Sequence, residues 1–193
     1  MRRAILLGLG GLLLAGTAPA FSGDPVAGRK VANMCRTCHG LDGFAKIPIA
    51  PHIGGEPESY LQRQLRAFKS GARQHEMMTV VASGLSEGQI DDVSAWYASH
   101  TATARLPAGA DPAKAPEACT ACHGVDGMAL FEDAPNLAGE TNIYIDTQLK
   151  AFKRGKRTHE IMNGVAAAMS DEEIRAAANW YASVELKVDA APE

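Results

Sequence analysis

Cys35-Arg36-Thr37-Cys38-His39 and its copy Cys119-Thr120-Ala121-Cys122-His123 decide the reading of this chain. Each is a C-x-x-C-H run, the pattern of a c-type haem attachment site. Two thiols three positions apart can add to the two vinyl groups of one porphyrin. The histidine that follows is then held beneath the iron as an axial ligand. The competing readings are a zinc site and a redox dithiol. Zinc-binding cysteine pairs usually sit within about 15–20 residues of each other, whereas these pairs start 84 positions apart. A redox dithiol gives no reason for a histidine directly after both pairs.

Shifted by 84 positions, the sequence lies on itself without a gap from residue 35 to residue 99. About 30 of those 65 positions are identical. A repeat this long indicates two homologous domains rather than a solenoid. The expected boundaries are 21–102 for the first domain and 103–193 for the second, with a linker at about 101–112 that is rich in Ala, Pro and Gly.

Within each copy the pattern is helical. Asp24-Pro25 starts a helix leading into the first motif, with Pro in its first turn. A Gly-, Ala- and Pro-rich loop follows, 40–55 in one copy and 124–139 in the other. Tyr60, Leu61, Gln64, Leu65 and Phe68 recur at helical spacing over residues 58 to about 70. Their copies are Tyr144, Ile145, Gln148, Leu149 and Phe152, and Gly71 and Gly155 end the two helices. Residues 72–85 read as a loop. The last helix of each copy opens with a capping box, Ser86-x-x-Gln89 or Ser170-x-x-Glu173. Trp96/Tyr97 and Trp180/Tyr181 read as core packing. No stretch shows sustained strand alternation, so the expected fold class is all-α. The copies differ before the second motif, where Pro112 and Pro116 predict a short or irregular first helix. Gly28 has no clear counterpart there.

The repeat also locates a sixth iron ligand. Methionine occurs in both copies at one column only, Met78 and Met162. These are the expected distal ligands, completing the His39 and His123 sites. His/Met ligation raises the potential and closes the iron to other ligands, as suits electron transfer. The rival column is His75 and His159, three residues earlier, which would give a bis-histidine site or simply loop histidines near the haem edge. A metal-bound histidine usually donates its other ring N–H to an oxygen acceptor; the carbonyls of Pro51 and Pro135 are the candidates. Arg73 and Arg157 are candidates for pairing with haem propionates, or are solvated loop residues.

The bulk composition agrees. Aromatic residues make up only 6% of the chain, thin for two small cores, and a haem in each would supply apolar bulk. All four cysteines lie in the two motifs, leaving none for a disulfide, a nucleophile or a cysteine-ligated iron. Residues 1–20 read as a cleaved signal peptide: Arg2 and Arg3, an apolar run over 5–15, and the A-x-A-like site Ala18-Pro19-Ala20. That run is shorter than the roughly 20 residues of a spanning helix. Export to the periplasm fits the motifs, because c-type haem is attached outside the bacterial cytoplasm. Cleavage would take the net charge from −3 to −5, carried by the second half. Nucleic-acid binding is thus excluded as a function class, while a charge dipole would orient the protein toward redox partners.

With these motifs in hand, the sequence resembles the dihaem cytochrome c4 group of bacterial class I c-type cytochromes. The A-P-x-[IL]-x-G-E loop, the Y-[LI]-x-x-Q-L-x-[AF]-F-x-x-G-x-R helix and the methionine loop carry the resemblance over about residues 24–185. It implies two tandem class I cytochrome c domains related by a pseudo-twofold axis, with two covalently bound haem c groups whose propionates face across the interface. Cys35, Cys38, Cys119 and Cys122 would form the thioethers; His39, Met78, His123 and Met162 would ligate iron. The implied function is periplasmic electron transfer, soluble or membrane-attached. The donor would be a quinol-oxidising complex or a dehydrogenase, the acceptor a terminal oxidase or reductase. One alternative is a dihaem subunit of an enzyme such as a flavoprotein sulfide dehydrogenase. Another is catalysis at an open iron; thiosulfate dehydrogenases resemble this architecture but use a cysteine ligand, which this chain lacks. The expectation is therefore an electron carrier with no catalytic residues.

Overall fold

The computed structural model describes residues 22–190. The expected signal peptide lies outside the described residues.

Helix α1, Pro25–Ala32, starts where the sequence places it: the Asp24 side chain accepts the Val26 N–H at 2.8 Å and Pro25 occupies the first turn. The single-turn helix α2, Arg36–His39, carries Cys38 and His39. Helix α3 spans Glu58–Ser70 and ends at Gly71, whose φ of 79° is the left-handed conformation glycine adopts without strain. Residues 72–85, expected to be a loop, instead contain α4, Glu76–Ser83. Helix α5, Glu87–Ala98, opens with the expected capping box from Ser86 and Gln89.

The second half repeats this order with a weaker start. A 3-10 turn at Pro112–Lys114 and α6, Glu117–His123, replace the longer lead of the first half, as the two prolines predict. Helices α7, Asn142–Lys153, α8, Met162–Ala168, and α9, Asp171–Ala182, follow, the last with its capping box from Ser170 and Glu173. Each half has its own core. Ala32, Leu61, Val93 and Tyr97 centre the first; Ile145, Leu149, Phe152, Ile174 and Tyr181 are among those that centre the second.

The sequence offered no strand, but two short ones form. The segment at 101–112, read as linker, begins with strand β1, Thr101–Arg105, which pairs antiparallel with β2, Glu185–Asp189. Thr103 lies opposite Lys187, its own copy one repeat later. The pseudo-twofold axis therefore passes between these two residues, and each strand is completed only by the other half. The loops before α3 and α7 pack beneath this ribbon through glycine. A Cβ at Gly55 would meet the Ala102 Cβ at 2.6 Å, and one at Gly139 the Leu186 Cβ at 2.6 Å.

The halves are joined by reciprocal bonds from equivalent residues. His52 donates its backbone N–H to Glu140 Oε1 at 2.9 Å, and Asn136 donates its own to Glu56 Oε2 at 3.0 Å. The His52 ring then bonds the Gly139 carbonyl at 3.1 Å, as the Asn136 amide bonds that of Gly55 at 3.1 Å.

Candidate cofactor sites

Each C-x-x-C-H run occupies a tight helical turn closed by a glycine, Gly40 or Gly124, at φ of 75° or 71°. Cys35 precedes α2, and its thiol is held partly inside the first core; Cys119 is buried in the second. No disulfide joins any of the four cysteines. Burial pushes the thiols of Cys35 and Cys119 up to about 11, so both stay neutral.

The histidines are fixed from behind. His39 Nδ1 lies 2.9 Å from the Pro51 carbonyl and His123 Nδ1 2.9 Å from that of Pro135, the acceptors expected from the sequence. A carbonyl only accepts, so each ring carries its proton on Nδ1 and leaves the Nε2 lone pair free. Burial, first of all, holds both histidines below the usual imidazole range. The neutral form is the one that binds metal. His75 and His159 are near enough to depress them slightly further.

Met78 lies in the first turn of α4 and Met162 opens α8, both half-buried. Met162 packs against the second core. The rival histidines have a different task. His75 Nδ1 accepts the backbone N–H groups of Met77 and Met78 at 3.3 and 3.4 Å, capping α4. His159 does the same for Ile161 and Met162 at 3.3 and 3.4 Å. Each thus spends one ring nitrogen on the backbone of the methionine helix.

Arg73 and Arg157, candidates for propionates or for solvated loops, cross the domain boundary. Arg73 donates to Gln64 at 2.7 Å within its own half and to Gln148 at 2.8 Å and the Tyr144 hydroxyl at 3.3 Å in the other. Arg157 mirrors it onto Gln148 at 2.8 Å, Gln64 at 3.0 Å and Tyr60 at 3.2 Å.

Sequence reasoning missed what the aromatic pairs do. Trp96 and Tyr97 donate to the carbonyls of Leu41 and Gly40 at 2.9 and 3.1 Å. Trp180 and Tyr181 donate to those of Val125 and Gly124 at 2.8 and 3.0 Å. The last helix of each half therefore ties down the loop that leaves the histidine. A polar-tipped aromatic pair recurring in both copies was the signal.

Among the described residues, no group of three or more His, Cys, Asp or Glu side chains converges as a site for a bare metal ion. Two thiols beside a neutral, carbonyl-anchored imidazole instead fit a covalently attached haem.

Comparison with known proteins agrees. Residues 111–185 match the family model for cytochrome c. A thiosulfate dehydrogenase electron acceptor of Stutzerimonas stutzeri is 34% identical over 206 residues, covering 94% of this chain and 95% of that protein. Cytochrome c4 of Pseudomonas aeruginosa is 32% identical over 197 residues, covering 92% and 94%. The crystal structure of reduced cytochrome c4 from Pseudomonas stutzeri superposes with a TM-score of 0.74 at 30% identity, covering 85% of this chain and all of that one. Fold and site together define a class I c-type cytochrome built in duplicate. The chain belongs to the dihaem cytochrome c4 family: it carries two covalently bound haem c groups and is an electron carrier.

Proposed function

We propose that the chain shuttles electrons in the periplasm through two domains, residues 21–102 and 103–193, with one haem in each. Cys35 and Cys38 would form the thioethers of the first, Cys119 and Cys122 those of the second. His39 and Met78, then His123 and Met162, are the axial ligands. The observation that supports this assignment is the match between the halves: each imidazole is fixed by a proline carbonyl, and each half has a half-buried methionine at the same repeat position.

When bound, haem supplies one-electron chemistry and sets no demand for a substrate pocket. The residues hold it still. The Pro51 and Pro135 carbonyls fix ring orientation and raise ligand basicity. The Trp and Tyr bonds from the last helices keep the loop after each histidine from moving.

An expected signal peptide and the place of c-type haem attachment support a periplasmic location. Among the described residues, no helix is long and apolar enough to cross a membrane. The partners are redox proteins, with a quinol-oxidising complex or dehydrogenase as donor and a terminal oxidase or reductase as acceptor. A second reading, service to one enzyme, is favoured by the 34% identity to a thiosulfate dehydrogenase electron acceptor. Since all four cysteines sit in the haem motifs, no cysteine is left to ligate an iron, and thiosulfate would be oxidised on a partner rather than here.

The ferric near-infrared spectrum, recorded with a potentiometric titration, tests the assignment. Two haems' worth of the methionine-to-iron charge-transfer band and two positive midpoints are expected. Met78→Ala and Met162→Ala should each remove about half of the band. An absent band with low potentials overturns the methionines. Rapid reduction by a thiosulfate dehydrogenase and thiosulfate, but not by a quinol-oxidising complex, favours the second reading.

A further inference from the structure

The two methionine loops follow one plan but are fastened unequally. In the first half, the His75 backbone N–H donates to Thr79 Oγ1 at 3.0 Å. At the equivalent position the second half has Asn163, whose Oδ1 accepts the His159 N–H at 2.6 Å. The asparagine has two further donors, and Nδ2 uses them on the carbonyls of Phe152 at 2.7 Å and Arg157 at 2.9 Å. Phe152 lies in the last turn of α7, and Arg157 in the loop that leaves it. One side chain thus pins three backbone points around the residue that follows Met162. A threonine hydroxyl has a single donor and a shorter reach, and Thr79 is bonded only through its acceptor oxygen to His75.

The surroundings of the two loops also differ. His159 Nε2 lies 3.7 Å from Asp133 Oδ2, and Asp133 in turn pairs with Arg63 of the first half. The column of Asp133 holds Ile49 in the first half, an exposed side chain with no charge to offer. The loop of Met162 is therefore anchored to its own helix by Asn163, and Thr79 gives the loop of Met78 no equivalent anchor.

We infer that Asn163 is a positioning residue that locks the second methionine loop, and that the loop of Met78 is the one that opens first to a small neutral ligand. This rests on methionine being the distal ligand at both sites. The consequence is chemical inequality between two domains of nearly equal design. The first site would exchange its thioether for an added ligand faster than the second.

The test is stopped-flow displacement of methionine by imidazole in the full ferric holoprotein, followed at the near-infrared charge-transfer band. The wild type should react in two phases of similar amplitude. Met162→Ala should leave only the fast phase and Met78→Ala only the slow one, which assigns them. Asn163→Thr should speed the slow phase by about fivefold or more, since two hydrogen bonds to the loop are lost. Thr79→Asn should slow the fast phase, and it decides the matter if Asn163→Thr fails to fold. Unchanged denaturant midpoints with altered phases would separate positioning from general stability. A single wild-type phase, the reverse assignment, or rates indifferent to both substitutions would overturn the inference with the methionine ligands intact. A wild type without the band would instead remove the ligand assignment, and the inference with it.

Discussion

The Glu140 carboxylate accepts the backbone N–H of His52 from the opposite half, at 2.9 Å. Its other oxygen, Oε2, is buried without a partner. Glu56 is the symmetric residue, and both carboxyls are almost wholly inside the domain boundary. Burial pushes Glu56 up to about 8. Burial and then the proximity of Glu56 hold Glu140 well above the usual carboxylate range.

Raised acids set the sign of a pH dependence. Above the unfolded value of about 4.3, the unfolded chain has released protons that the folded one keeps, so stability falls as pH rises toward about 8. The urea midpoint of the wild type should therefore drop between pH 6.5 and pH 9. Glu56→Gln keeps an acceptor for Asn136 and removes the titration. It should be flatter across this range and about 1–3 kcal/mol more stable than the wild type at pH 9. A wild-type midpoint constant over that range would mean that the carboxyls ionise without cost.

His52 acts in the opposite direction. Its Nδ1 accepts the Ala45 N–H at 2.9 Å, so Nε2 carries the proton and donates to the Gly139 carbonyl. Burial, foremost, holds the ring below the usual imidazole range. Below about pH 6.5 the unfolded chain takes up a proton that the folded one refuses, so stability is lost as pH falls. Asn136 makes the same two bonds with an amide, Oδ1 to the Ala129 N–H and Nδ2 to the Gly55 carbonyl. His52→Asn should thus stay within about 1 kcal/mol of the wild type at pH 7 and exceed it at pH 5; His52→Ala should cost about 1–3 kcal/mol at pH 7. Urea titrations at the two pH values distinguish them.

The arginine pair predicts coupling between domains. Arg73 and Arg157 lie 4.4 and 4.5 Å from the Phe68 and Phe152 ring centres, and each donates to both Gln64 and Gln148. Arg73→Ala should destabilise the protein by about 1–3 kcal/mol, and Arg73→Lys should recover little, because an ammonium cannot fork onto two amides and stack. Since the two arginines share their acceptors, the double variant should not equal the sum of the singles. Strict additivity in a denaturation cycle would show that the network does not couple the halves.

Much of this was legible because the chain contains its own alignment. A residue shared by both sites recurs in one column, which pointed to the cysteines, the histidines, the Pro51 and Pro135 carbonyls and the methionines proposed as ligands. What escaped has physical reasons. The strands at Thr101–Arg105 and Glu185–Asp189 are five residues long, and each is completed only by a partner one repeat away. Helices α4 and α8 are short and contain Thr79, Val80, Val81 or Gly164; α4 is capped by the His75 ring rather than by a usual N-cap residue, and α8 starts after Ile161, with the Met162 N–H bonded to the His159 ring. The buried Glu56/Glu140 pair was visible only as part of a G-E motif, since burial of an acid depends on where the second domain comes to rest.

Gly28, which has no counterpart in the repeat, marks where the halves differ most in packing. Helix α1 crosses α5 so closely there that a Cβ would overlap the Asp92 carbonyl and come within 2.9 Å of the Trp96 Cβ. Backbone cannot retreat as a flexible side chain can. Trp96 also holds the Leu41 carbonyl, so a shift of α5 would reach the loop leaving His39. Gly28→Ala should therefore cost about 2–3 kcal/mol despite alanine's better helix propensity. Gly88, in the first turn of α5, has nothing within 4 Å of an added Cβ. Gly88→Ala should be neutral or stabilising by up to about 1 kcal/mol. Guanidinium unfolding of both variants, read at the haem and by far-ultraviolet dichroism, separates packing from propensity. Equal and small effects would mean that α1 can slide on α5, and that the longer lead of the first domain is not locked in place by this contact.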